Sequence, residues 1–193
     1  MGTLKAVFFD LDDTVLKPRA FNPWAEFKKS QGLEPNLLIV DGIARRPPDE
    51  QAILHRRLLQ YEQALSASSE LREGMRELLG ELVAMGLRTA LLTNNHRAAT
   101  EAALRKHGLA FALVLTREEA PPKPSPALLQ RALAHFDLSP LEALYIGDSE
   151  GDLQAAQAIG LPVWFLATPH NSTLHPRFEY PMELLQALQQ AWG

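Results

Sequence analysis

Residues 4–14 read Leu-Lys-Ala-Val-Phe-Phe-Asp-Leu-Asp-Asp-Thr. Leu4–Phe9 is a short, predominantly apolar run without regular polar alternation, the pattern of a strand buried on both faces of a parallel sheet. It ends in three carboxylates, Asp10, Asp12 and Asp13. In open α/β sheets, ligands gather beyond the carboxyl ends of the strands. This one stretch therefore predicts both a sheet and a site.

Working outward, four further runs read as buried strands: Thr89–Leu92, Phe111–Leu115, Ala143–Ile146 and Val163–Leu166. Helical segments lie between them. Thr100–His107 stops at Gly108, Pro126–Phe136 follows Ser125 as N-cap, and Asp152–Ile159 stops at Gly160. Strands alternating with helices of this length predict an α/β, Rossmann-like, doubly wound parallel sheet of five strands. From 17 to 69 the alternation stops. Asp49–Ala67 places Ile53, Leu54, Leu58, Leu59 and Leu65 at helical spacing, with Asp49 as a cap. Trp24, Phe27, Leu37, Leu38 and Ile39 suggest one or two shorter helices before it. Glu70–Met85 and Met182–Trp192 read as further helices. The expected organisation is an α/β core of residues 1–16 and 70–193, with a small all-α domain of residues 17–69 inserted after strand one.

The chain has 193 residues, 46% hydrophobic and 22% charged, enough to build a core. Lys+Arg number 19 and Asp+Glu 23, for a net charge of −4, with no basic stripe. That composition argues against a nucleic-acid partner. There is no cysteine, so thiolate nucleophiles, disulfides and iron–sulfur clusters are excluded. Any metal must sit on oxygen or histidine, and the six histidines show no paired ligand spacing. No apolar stretch approaches the ~18 residues of a membrane span, and the start does not read as a signal peptide. The expectation is a cytoplasmic protein with no membrane partner. Trp24, Trp164 and Trp192 could be core or interface, so oligomeric state is not legible.

Four segments carry chemistry. Asp10 and Asp12, two apart past a strand end, can point into one pocket as nucleophile and general acid/base. Clustered carboxylates repel one another and call for a hard cation such as Mg²⁺. Leu91-Leu92-Thr93-Asn94-Asn95 offers a hydroxyl and backbone N–H groups to a phosphate oxygen. Pro121-Pro122-Lys123-Pro124-Ser125-Pro126 holds a lysine rigidly before a helix N-terminus, as an anion clamp. In Tyr145-Ile146-Gly147-Asp148-Ser149-Glu150-Gly151-Asp152, Gly147 gives the backbone room and Asp148 is placed for a metal. Asp152 reads as an N-cap acid or a supporting group. Each segment alone is also an ordinary turn sequence. Together they set oxygen ligands, a hydroxyl and a lysine at successive strand ends.

The set Asp10-x-Asp12-Asp13-Thr14, Thr93-Asn94, Lys123-Pro124 and Gly147-Asp148-Ser149-x-x-Asp152 resembles the four motifs of the haloacid dehalogenase superfamily. The resemblance spans roughly 1–16 and 70–168, and the helical insertion matches the position of that family's C1 cap. It is similar to the phosphoglycolate-phosphatase-like members. The resemblance implies that Asp10 attacks phosphorus to form an aspartyl-phosphate, and that Asp12 protonates the leaving alcohol and then deprotonates water. It implies Mg²⁺ on the Asp10 side chain, the Asp12 carbonyl and Asp148, supported by Asp152. Thr93, the Asn94 backbone and Lys123 would hold the phosphoryl oxygens. Asp12 is absent from the dehalogenase branch, so it points to phosphate chemistry and a small phosphorylated metabolite. Phosphomutases of the β-phosphoglucomutase type have a histidine twelve residues past the nucleophile, where this chain has Asn22. The alternatives are such a mutase, or a non-catalytic binding protein on the same fold. In the stretch Asp41–Arg46, Arg45 and Arg46 are candidates to meet a second anionic group of the substrate. His96, just past the second motif, is a candidate for the site rim or for a helix start.

Overall fold

The structure is a computed structural model that describes residues 3–192. Residues 1, 2 and 193, at the ends of the expected core segments, lie outside the described residues. The elements run β1 (Ala6–Phe9), α1 (Pro23–Ser30), α2 (Ile39–Ala44), α3 (Pro48–Ser68), α4 (Met75–Ala84), β2 (Arg88–Leu92), α5 (Arg97–His107), β3 (Leu113–Leu115), α6 (Ala127–Phe136), β4 (Ala143–Gly147), α7 (Glu150–Gln157), β5 (Val163–Leu166), β6 (Arg177–Phe178) and α8 (Pro181–Trp192).

All paired strands are parallel, in the order β3-β2-β1-β4-β5-β6. The sheet therefore has six strands, not the five expected. The sixth, β6, is two residues long, and Arg-Phe carries no apolar run from which to read it. Residues of β1 are fully buried because both sheet faces are covered. Val7 and Phe9 face a layer formed by Met75, Leu78 and Leu82 of α4 with Leu184 and Leu188 of α8. Ala6 and Phe8 face the opposite layer, where Leu128, Leu129 and Ala132 of α6 meet Ala155 and Ala156 of α7. Strand side chains alternate between faces, so an unbroken apolar strand needs both layers.

The insertion forms α1–α3 around its own small core of Phe27, Leu33, Ile43, Leu54 and Leu58. Helix α3 starts at Pro48, one residue before Asp49, because proline suits the first helical turn. It lies along α5, where Ser66 Oγ donates to the Ala99 carbonyl at 2.9 Å. Helix α4 begins at Met75, five residues later than the apolar spacing predicts. Gly74, at φ 76°, turns the chain into it, and Leu71 pairs with Leu16 as an isolated bridge. No helix among the described residues is long and apolar enough to cross a membrane.

Candidate active site

Strand order reverses at β1, which has β2 on one side and β4 on the other. The crevice beyond the carboxyl ends at such a switch point is the natural ligand site of an open α/β sheet. Phe9 pairs with Ile146, and the Asp10 N–H donates to the Ile146 carbonyl at 2.9 Å. The register thus brings the residues after β1 beside those after β4. A pocket of about 370 Å³ opens there, lined by Asp10, Asp12, Asp13, Thr93, Asn94 and Asp148 among others.

Beneath the pocket lies Lys123, itself buried. Its Nζ is 2.5 Å from Asp10 Oδ1, 2.8 Å from Asp152 Oδ1, 2.7 Å from the Tyr145 hydroxyl and 3.1 Å from the Leu92 carbonyl. Tyr145 donates onward to Asp152 Oδ1 at 2.7 Å. The other Asp152 oxygen accepts from Ser149 Oγ, the Ser149 N–H and the Asp148 N–H. Both oxygens of Asp152 are thus engaged by donors, and Ser149 and Asp152 form a capping box that starts α7. Asp152 comes so close to the strand end that a Cβ on Gly147 would stand 2.7 Å from it, so only glycine fits.

The chain leaves β1 through a tight turn in which Asp13 has φ 57°, a left-handed conformation that aspartate tolerates. Arg72 braces this turn. Its guanidinium donates to the Asp13, Thr14 and Ala167 carbonyls at 2.5, 2.9 and 3.0 Å. Asp12 Oδ2 accepts from Asn95 Nδ2 at 2.6 Å, and Arg19 Nη1 lies 3.8 Å from Asp12 Oδ1. Asn94 and Lys123 exchange two bonds: Nδ2 donates to the Lys123 carbonyl at 2.9 Å, and the Lys123 N–H to Asn94 Oδ1 at 2.8 Å. This pair ties the second and third sequence segments together.

Negative charge dominates. Burial, opposed by Lys123 and reinforced by Asp152, pushes Asp10 up to about 7. Burial likewise lifts Asp12 to about 6 despite the Asn95 bond. Burial and the charges of Asp152 and Asp10 push Asp148 well above the carboxylate range. Burial works against ionised Asp152 too, but Lys123, Ser149 and Tyr145 hold it below the usual value. Burial disfavours the Lys123 ammonium, yet Asp10 and Asp152 hold it above the ordinary lysine value. Asp10, Asp148 and Asp152 each offer an oxygen, all within 4.8 Å of one another. Crowded carboxylates forced toward protonation are a donor set that fits a hard divalent cation.

The structure brings Asp10, Asp12, Thr93, Asn94, Lys123, Asp148 and Asp152 together. Arg45 and Arg46 lie elsewhere. Arg45 is exposed, 4.0 Å from Glu34, and Arg46 donates to the Gly32 carbonyl. Neither lines the pocket, because helix α2 turns both away toward the segment that follows α1. His96 caps α5, its Nδ1 accepting from the Ala98 N–H, so it is a helix-start residue. Asn22 caps α1, accepting from the N–H groups of Trp24 and Ala25 at 3.0 Å, and also lines the pocket.

Sequence reasoning missed four contributors. Tyr145 read as an apolar strand residue, though its place two residues before Gly147 puts it on the same sheet face as the site lysine. Asn95 was visible as a third polar residue after β2. Arg72 and Asn171, whose Nδ2 donates to the Asp148 carbonyl at 2.9 Å, carry no local signal.

A family model described as haloacid dehalogenase-like hydrolase matches residues 4–160. The chain is 32% identical over 131 residues to a phosphoglycolate phosphatase of Nitrosococcus oceani, covering 66% of this chain and 58% of that one. It is 38% identical over 114 residues to a phosphoglycolate phosphatase of Thiobacillus denitrificans, covering 58% and 50%. The chain thus spans about half the length of these curated relatives. Among solved structures, CbbY from Rhodobacter sphaeroides in complex with phosphate shares the fold, with a TM-score of 0.76 at 24% identity. That match covers 94% of this chain and 96% of that one.

Proposed function

The chain belongs to the haloacid dehalogenase-like hydrolase family, and from that premise we propose that it is a Mg²⁺-dependent phosphatase acting on a small phosphorylated metabolite. One observation carries the reading. Lys123 Nζ stands 2.5 Å from Asp10 Oδ1, in a cluster where Asp10, Asp148 and Asp152 offer oxygens within 4.8 Å of one another. A nucleophilic carboxylate, its neutralising cation and a cation-binding donor set share one crevice.

In this reading Asp10 attacks phosphorus. The Asp10–phosphorus bond forms as the bond to the substrate oxygen breaks, leaving an aspartyl-phosphate. Asp12, carried toward protonation by burial, gives its proton to the departing alkoxide. It then takes a proton from the water that hydrolyses the aspartyl-phosphate, and inorganic phosphate leaves. Asn95 and Arg19 keep Asp12 aimed at the pocket. Lys123 lets one anion approach another, and Thr93 with the Asn94 backbone receives phosphoryl oxygens. Phosphoryl transfer is mostly positioning and charge stabilisation. Mg²⁺, held by Asp10, the Asp12 carbonyl and Asp148 with Asp152 in support, would supply further positive charge to the transferring group.

We infer that residues 17–69 act as a cap over residues 1–16 and 70–193, and we propose a cytoplasmic location. The mutase alternative loses support because Asn22 serves as the N-cap of α1. The binding-protein alternative loses support because the nucleophile and lysine are both present and paired. The test is p-nitrophenyl phosphate hydrolysis in Mg²⁺. Asp10→Asn abolishes it while the protein stays folded. Activity retained in that variant would falsify the mechanism. A hexose 1-phosphate that yields isomerised sugar rather than free phosphate would favour the mutase.

A further inference from the structure

A second cavity, of about 220 Å³, adjoins the acid-lined pocket and shares Trp24, Asn94 and Asn95 with it. Its far wall is apolar: Leu37, Leu38, Ile39 and Val40 lead into α2, and Leu58 comes from α3. Two basic side chains border it, and both already donate hydrogen bonds, though only Arg117 faces an acid. Lys28 Nζ donates to the Pro35 carbonyl at 2.6 Å and the Leu37 carbonyl at 3.1 Å. Arg117 pairs with buried Glu62 at 2.5 Å and donates to the Asn94 carbonyl at 2.9 Å. Its charge is therefore matched by Glu62, and its guanidinium closes the floor between insertion and core. Arg45 and Arg46 are absent from both walls. His170 stands on the core wall of the acid-lined pocket, not here.

We infer that this cavity receives the leaving alcohol of the substrate and that the alcohol is uncharged and apolar, alkyl or aryl, rather than a second acid. The inference rests on the phosphatase reading above and names its substrate class. A phosphate placed against Thr93 and Asn94 has the second cavity directly beside it, across the Trp24 indole. A carboxylate-bearing alcohol entering there would meet the apolar wall and the Glu62 carboxylate, and of the two bordering cations only Lys28, already tied to two carbonyls, is not matched by an acid; burying a charge among apolar side chains is costly. An apolar group entering there removes its own surface and that of Leu38 and Val40 from water. A hydrophobic pocket discriminates a matching methylene by about 10- to 200-fold in kcat/KM.

The experiment compares kcat/KM in Mg²⁺ for ethyl, n-butyl and 2-phenylethyl phosphate and for 2-phosphoglycolate, using the full chain. The alcohols of the ester series leave with similar chemistry, so its slope reports the pocket. The expected result is a rise of about tenfold or more from ethyl to 2-phenylethyl phosphate, with phosphoglycolate below the latter. Leu38→Asp and Val40→Asp, both at half-buried positions, lower the 2-phenylethyl to ethyl ratio toward one. A flat series, a ratio unchanged in folded variants, or phosphoglycolate as the best substrate overturns the inference and leaves the phosphatase reading standing. No phosphate release from any ester, p-nitrophenyl phosphate included, overturns both. If the variants do not fold, the wild-type series still decides.

Discussion

Lys123 Nζ lies 2.5 Å from Asp10 Oδ1 and approaches it from beneath the pocket, where Lys123 is buried. The lysine therefore neutralises the nucleophile without occupying the space that a substrate needs. The same ammonium reaches Asp152 at 2.8 Å, so one cation offsets two carboxylates. Removing it leaves both buried without an opposite charge, and breaking a buried pair from one side costs about 3–5 kcal/mol. Lys123→Met is expected to lower stability by that order in urea denaturation. It is also expected to cut kcat by about 10²- to 10³-fold, as loss of a group that stabilises transition-state charge does. A variant with unchanged denaturation midpoint would contradict the geometry.

Gly147 and Asp152 make the second prediction. A Cβ at 147 would stand 2.7 Å from the Asp152 side chain, which is fixed by Lys123, Tyr145 and Ser149. Asp152 cannot swing aside without abandoning those donors. Gly147→Ala is therefore expected to cost about 1–3 kcal/mol by overpacking, with activity lost alongside. Thermal denaturation and turnover measured on the same sample check it. Gly151→Ala is the control, because its nearest contact is Ser149 Oγ at 3.7 Å.

Tyr145→Phe removes one hydroxyl from between Lys123 and Asp152 while keeping the ring that packs into the α6–α7 layer. Hydrogen bonds to charged groups contribute about 1.5–3 kcal/mol. A stability loss in that range is expected, with the secondary structure intact by circular dichroism. No loss would mean that the hydroxyl bonds carry nothing.

These residues also show how far the sequence could be read. The apolar runs predict the sheet because a strand buried on both faces needs few polar residues: β1 has none, and the buried lengths of β2 and β4 admit only Thr89 and Tyr145. The acids and the threonine announced themselves by sitting where those runs stop, and the lysine by its proline-flanked place before a helix. Tyr145 and Arg72 did not. Tyr145 is spelled like a core residue, and its role depends on which way β4 faces. Arg72 acts through three carbonyls far from it in sequence, contacts that only the fold creates. Arg45 and Arg46 lie away from the pocket for a related reason: their charge was legible, but the direction of α2 was not. β6 escaped because two residues leave no periodicity to detect.

Stability should depend on acid pH at a place remote from the site. Glu142 accepts from Lys5 at 2.5 Å and from the Ser139 hydroxyl and N–H at 2.8 and 2.9 Å. Lys5 and the two Ser139 donors hold Glu142 down to about 2, against an ordinary value of 4.5. The folded pKa lies below the unfolded one, so the contribution is present in full above pH 4.5 and is lost as pH falls toward 2. Both partners are solvent-accessible, so salt weakens the effect. The melting-temperature gap between wild type and Glu142→Gln is expected to shrink on acidification from pH 7 to pH 3. A gap that widens on acidification would reverse the assigned sign.

Divalent cation binding can be read without turnover. A ligand that binds only the folded chain stabilises it by RT ln(1 + [L]/Kd), about 2.7 kcal/mol at a hundredfold excess over Kd. Without a cation, burial and the neighbouring acids push Asp148 well above the carboxylate range. The carboxylates therefore repel one another in the folded state alone, and a cation relieves that repulsion there. Mg²⁺ is expected to raise the melting temperature, and EDTA to return it to the metal-free value. Asp148→Asn removes one carboxylate, so it is expected to melt at or above the wild type in EDTA and to lose the Mg²⁺ shift. A shift that survives in Asp148→Asn would move the cation elsewhere in the acid cluster, whereas its absence in the wild type would remove the metal from the proposal altogether.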